Sequence, residues 1–149
     1  TALDVTIQAQ ILELMKKLQD ELGMGIIMIT HDLGVVAETC NDVAVMYCGK
    51  IVEHADIKTL FKNPRHPYSR GLIESIPSFD STLKKKREKL PTIEGMVPSL
   101  FDLPSGCSFQ DRCSFVKEKC RSMDPRLETY GKGVEKDHQV SCFYPVAGA

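Results

Sequence analysis

The chain has 149 residues, 42% of them hydrophobic, and its 19 Lys and Arg stand against 20 Asp and Glu for a formal net charge of -1. That length and apolar content suit one modest core with a small satellite unit, and the balanced charge excludes a nucleic-acid interface, which needs surplus Lys and Arg to neutralise phosphates. No apolar run approaches the roughly 20 residues that span a bilayer, and the first residues carry neither the basic nor the apolar region of a secretory leader.

The chain opens without Met on Thr1-Ala2-Leu3-Asp4, directly before a helical pattern, and is expected to be a piece of a longer protein. Ile7, Ile11, Leu14, Leu18 and Leu22 recur at helical spacing over residues 5–22, with Asp4 as N-cap and Gly23 as the stop. Residues 25–30 form a short continuous apolar run, the pattern of a parallel strand buried on both faces. A second helix is predicted over 33–40 and a strand over 42–47. Cys48-Gly49 then makes a tight turn into 50–53, a hairpin in which Gly supplies the positive φ. Short helices follow at 57–62, ended by Asn63-Pro64, and from Pro67 to Ile76, ended by Pro77. Residues 78–89 include Lys84-Lys85-Lys86-Arg87-Glu88-Lys89, with almost nothing to bury, and read as a linker. Beyond it Pro91, Pro98, Pro104 and Pro125 interrupt regular structure and leave a loop-rich tail that needs a staple.

The six cysteines fall into two groups. Cys40 and Cys48 sit in apolar sequence and read as small buried hydrophobes. Cys107, Cys113, Cys120 and Cys142 gather in the last third, with His138 close by. Without an export signal a reducing compartment is expected, which favours metal ligation or free thiols over disulfides. Four thiolates fit a tetrahedral site. Their gaps exceed those of the usual zinc pairs and leave room for an iron–sulfur cluster, so spacing keeps both open.

Thr30-His31-Asp32 closes the predicted strand and opens a helix, the place where open α/β sheets bind ligands. There His31 either reaches a phosphate or caps the helix. Thr1 and Asp4 also read as a capping box. Taken together, Ala2-Leu3-Asp4, the run 26–30, Thr30-His31-Asp32-Leu33 and residues 45–53 resemble the second half of an ABC transporter nucleotide-binding domain. The resemblance implies that Ala2-Leu3-Asp4 is the D-loop, with Asp4 at the interface between two such domains. It makes His31 the switch histidine, contacting the γ-phosphate of ATP and the attacking water. An imidazole suits that task, because phosphoryl transfer runs on positioning and charge stabilisation. No G-x-x-x-x-G-K-[ST] cradle, signature motif or Walker B strand occurs, so this chain alone is expected to be inactive as an ATPase.

Residues 63–72, with His66-Pro67-Tyr68 at their centre, resemble a stretch of the dipeptide, oligopeptide and nickel permease ATPases, and the likeness continues through 93–98 and 106–113. Glu94 stands where that family more often has Pro, and Asn41-Asp42 where Asp-Arg is common. As a single histidine in a turn, His66 reads as a surface or capping residue. The same family carries a C-terminal cysteine set that binds a [4Fe-4S] cluster, which implies that role for Cys107, Cys113, Cys120 and Cys142, with Zn2+ as the alternative.

The implied fold is α/β: residues 1–77 as the C-terminal part of a P-loop (RecA-like) ABC nucleotide-binding domain with its following helices, a charged linker over 78–90, and a cysteine-rich metal-binding tail over 91–149. The implied function is that of an ATPase subunit driving peptide import with ATP and Mg2+, peripheral on the cytoplasmic face of a bacterial inner membrane. Its partners would be transmembrane permease subunits, a second ATP-binding subunit and, indirectly, an extracytoplasmic peptide-binding protein. The competing function is a stand-alone metal-binding regulatory or interaction module.

Overall fold

A computed structural model describes residues 4–76, 92–130 and 137–146. Contacts divide the chain into two units, Thr1–Asn41 and Asp42–Ala149.

In the first unit, helix α1 (Val5–Leu22) is fixed at both ends. The Asp4 carboxylate accepts the Thr6 N–H at 2.8 Å. Gly23 turns left-handed at φ 63° and returns its N–H to the Gln19 carbonyl. Helix α2 (Leu33–Thr39) starts where Asp32 accepts the N–H groups of Gly34 and Val35 at 2.9 and 3.2 Å. Between the helices, the buried strand expected over 25–30 is not formed. Residues 24–30 form no regular element, and Ile27 and Ile29 are 93% and 96% exposed. A strand exists only through a neighbour's hydrogen-bond ladder, and among the described residues none pairs with this segment. The apolar stripe of α1 is likewise open, as Ile11, Leu14 and Leu22 show.

The second unit is built on a four-stranded sheet, β1 (Asp42–Tyr47), β2 (Lys50–Asp56), β3 (Glu128–Thr129) and β4 (Gln139–Val140), in the order β1-β2-β4-β3. Every described pairing is antiparallel. The β1–β2 hairpin turns through Cys48 and Gly49, both at positive φ (46° and 77°), the geometry of a two-residue hairpin loop. Cys48 therefore serves the turn and is half-buried, as is Cys40, contrary to their expected burial.

Register in this hairpin slips between Val45 and Met46, so that Val45 faces Glu53 while Met46 faces Ile51 and Val52 is left over. This bulge breaks the alternation of faces. As a result two consecutive residues, Val52 and Glu53, are both buried.

Among the described residues of this unit there are also three helices, α3 (Ile57–Lys62), α4 (Pro67–Glu74) and α5 (Glu118–Ser122), and a 3-10 turn at Gln110–Arg112. Asp56 caps α3 by accepting from Lys58 and Thr59, bonds that hold its carboxyl below the usual range. Tyr47, Val52 and Phe109 form the core. Phe109 meets Tyr47 edge-on at 5.2 Å, and Tyr68 lies 4.8 Å from Tyr47 and 5.4 Å from Phe109, tilted geometries that aromatic quadrupoles favour. The expected linker, 78–90, lies outside the described residues.

Candidate functional site

The bulge in β2 delivers the Glu53 carboxylate, with no exposure, to the middle of the second unit. Burying a charge there is costly unless it is fully bonded. Glu53 is: Oε1 accepts the Arg65 N–H and His138 Nε2, each at 2.6 Å, and Oε2 accepts the His66 N–H at 2.9 Å. One side chain thus ties β2 to the turn before α4 and to the residue that precedes β4. The ties continue in the backbone, where Glu53 pairs with Val140 and the Ser141 N–H donates to Val52 O at 2.8 Å.

His66 caps α4, its Nδ1 accepting the Tyr68 N–H at 3.1 Å, and Pro67 occupies the first turn, where a missing N–H costs nothing. The capping role agrees with the sequence reading, but the ring is not on the surface. It is 1% exposed and packs on Phe109 at 5.7 Å, and burial pushes its pKa down to about 4.

Against this turn the tail brings its four late cysteines together. Cys107, Cys113, Cys120 and Cys142 all line one cavity, walled by His66, Pro67, Phe109, Phe115, Phe143 and Tyr144 among others. Local structure explains each position. Cys107 follows Gly106 and donates its N–H to Cys120 O at 2.8 Å. The approach is so close that a Cβ on Gly106 would stand 2.2 Å from that oxygen, so only glycine fits. Cys113 ends the 3-10 turn, Cys120 lies within α5, and Cys142 follows β4.

All four are free thiols, Cys120 buried and the others half-buried. Burial first, then the neighbouring thiols, pushes Cys107 and Cys113 up and Cys142 up to about 11. Metal uptake by such thiols displaces protons and is therefore favoured as pH rises.

As donors the four thiols in an apolar, aromatic-walled cavity fit a thiophilic group. The enclosed space is about 20 Å³, room for one water molecule and less than the sequence spacing allows. A single tetrahedral zinc, with Zn–S bonds of about 2.3 Å, would draw its sulfurs to roughly 4 Å from one another. Among the described residues no three His, Cys, Asp or Glu side chains converge closely enough to hold one metal ion. The thiols surround the cavity without meeting at a point.

His31 and Asp4 lie in the first unit. Both are exposed, Asp4 capping α1 and His31 beside the Asp32 cap of α2. Sequence reasoning singled out the cysteines but missed Glu53 as their anchor. Alternation along a strand gives no signal for a bulge. Only the buried pairing of Glu53 with His138, 85 residues away, reveals its role.

This is a helix and sheet arrangement consistent with the C-terminal part of an ABC ATPase, and residues 52–120 match the family described as oligopeptide/dipeptide transporter, C-terminal region. It is 56% identical over 144 residues to a Brucella melitensis protein named as a peptide import ATP-binding protein, covering 95% of this chain and 41% of that one. It is 48% identical over 150 residues to the oligopeptide transport ATP-binding protein AppD of Bacillus subtilis, covering 100% of this chain and 43% of AppD. Against the dipeptide transport ATP-binding protein DppD of Escherichia coli it is 41% identical over 149 residues, covering 100% and 43%. The chain thus spans about two-fifths of the length of these relatives. They give no support to a stand-alone metal-binding module. Among the described residues no helix is long and apolar enough to cross a membrane.

Proposed function

We propose that the chain is part of the ATP-hydrolysing subunit of an ABC transporter that imports peptides, acting with Mg2+-ATP in the intact protein. The observation that carries this reading is the likeness to peptide-import ATP-binding proteins along 95 to 100% of the chain. The subunit works at the cytoplasmic face of a bacterial membrane with transmembrane permease subunits, a second ATP-binding subunit and, indirectly, a peptide-binding protein. In it, residues 1–77 complete the nucleotide-binding domain and 91–149 form the tail. His31 contacts the γ-phosphate and the attacking water, and Asp4 lies at the interface between paired domains. The exposure of both side chains supports these roles. The open stripe of α1 and the unpaired run 26–30 pack against the sheet that carries the phosphate-binding loop, since apolar faces of this extent rarely stay exposed.

Cys107, Cys113, Cys120 and Cys142 hold a [4Fe-4S] cluster. What supports this reading is that the four thiols line one shared cavity. When bound, it supplies a covalent staple for the loop-rich tail and a one-electron redox centre.

The test uses the full-length protein with its permease partners in proteoliposomes. ATP-dependent peptide uptake is expected, and His31→Ala is expected to lower hydrolysis at least 100-fold while nucleotide binding persists. Undiminished turnover by this variant overturns the assignment of His31. The 149-residue chain alone is expected to show no Mg-dependent ATPase above background, and robust turnover overturns that expectation.

A further inference from the structure

We infer that residues 96–103 are a docking element: Met96, Val97, Leu100 and Phe101 seat in an apolar cleft of the same full-length subunit, in the part of that polypeptide outside this chain. The inference rests on the reading of the chain as part of a longer ATP-binding subunit.

Four of the six residues 96–101 are apolar, and all four are exposed, Phe101 completely. The core of the second unit closes without them on Tyr47, Val52 and Phe109, with Ile93 packed against it. Both ends of the segment are held. Arg112 donates from Nε to Glu94 O at 3.1 Å and from Nη2 to Ile93 O at 3.0 Å. Gly95 turns at φ 84° against the same side chain, where a Cβ would stand 3.2 Å from Arg112 Cγ. At the far end Ser105 Oγ donates to Arg121 O at 3.2 Å, next to the tight seat of Gly106. Between these anchors the Asp102 N–H donates to Ser99 O at 3.1 Å and the Phe101 N–H to Ser99 Oγ at 3.3 Å, which closes a turn with Leu100 and Phe101 at its tip. Apolar side chains held out on a fixed turn bind with little ordering cost, and a central aromatic dominates such contacts.

Length and chemistry select the occupant. The chain spans 41 to 43% of its relatives, so the larger share of such a polypeptide lies outside it. A patch with no charge at its centre has the composition of permanent interfaces, not of those that open and close. A cleft in the same polypeptide meets the turn at the effective concentration of a tether, which a separate partner lacks.

The experiment uses Phe101→p-benzoylphenylalanine and, separately, Leu100→p-benzoylphenylalanine, a photo-crosslinking aromatic, in the full-length protein. Each is assembled with its permease partners from an equal mixture of isotopically light and heavy chains, illuminated and read by mass spectrometry. The expected adducts join this turn to residues outside the 149-residue chain and pair light with light and heavy with heavy alone. Light–heavy adducts make a second copy the occupant and overturn the inference, as do adducts to a permease, to another ATP-binding subunit or to lipid. Adducts confined to residues 1–149, or none, overturn it as well. ATP hydrolysis measured on the same preparations separates the two readings. Turnover retained with any of those contrary adduct patterns overturns the docking inference alone, whereas a wild type without turnover overturns the functional reading beneath it.

Discussion

Replacing Glu53 by glutamine isolates the bond network that joins the tail to the hairpin. The carboxylate presents two acceptor oxygens, with Oε1 serving the Arg65 N–H and His138 and Oε2 serving the His66 N–H. Glutamine presents one oxygen and one NH2 group. Its better orientation keeps the oxygen on Arg65 and His138 and turns the NH2 toward the His66 N–H, donor against donor. One buried donor then lacks an acceptor, at about 1–3 kcal/mol, and the two surviving bonds lose their charge assistance. Glu53→Gln is therefore expected to cost about 2–4 kcal/mol. Glu53→Ala strands all three donors and should cost about 3–5 kcal/mol, the range for breaking a buried ionic group. Urea unfolding followed by tyrosine fluorescence reads this directly, because Tyr47, Tyr68, Tyr130 and Tyr144 all lie in the second unit. With the slope unchanged, a shift in midpoint is a shift in stability. A Glu53→Gln chain within about 0.5 kcal/mol of wild type, below the cost of one stranded donor, would refute the network's role.

Gly106→Ala would place a methyl 2.2 Å from Cys120 O and 2.7 Å from the Arg121 carbonyl carbon. Backbone atoms do not yield as side chains do, and a loss of about 1–3 kcal/mol is expected, read as a lower melting temperature; an unchanged melt contradicts the close packing. The Lys50–Asp124 ion pair is exposed on both sides, so Asp124→Asn should change stability by less than about 1 kcal/mol. A larger loss in the same urea assay would show that pair to be structural. The metal-free chain should also weaken in alkali. The Cys142 pKa is raised from 9.0 to about 11, so its neutral thiol is favoured in the fold. Stability from this group is complete below the unfolded thiol pKa and is lost as pH rises from about 9 to about 11. Denaturation midpoints measured from pH 8 to 11 check this, and Cys142→Ser should flatten the decline; a decline of equal steepness in that variant contradicts it.

Much of the secondary structure was legible because its determinants are local. Asp4 and Gly23 bound α1, Asp56 and Pro67 open helices, and Cys48-Gly49 closes a hairpin. The run at 25–30 was read as a strand because its composition fits one, yet pairing depends on a neighbour that composition does not reveal. Strands β3 and β4, two residues each, exist only through non-local pairing, β4 with β2 and β3 with β4, and left no pattern to read. The cysteine set was legible as a group of thiols. Its placement against His66 was not, because the bonds that bring the turn and the tail together, from Glu53 to His138 and between Arg65 and Val146, join residues far apart in the sequence.

Iron and acid-labile sulfide analysis of the protein purified without oxygen bears most directly on the site at the centre of this account. A brown protein with about four irons and four sulfides per chain is expected, with the content collapsing in Cys107→Ser, Cys113→Ser, Cys120→Ser and Cys142→Ser. A colourless, iron-free protein, or one holding stoichiometric zinc, would contradict it.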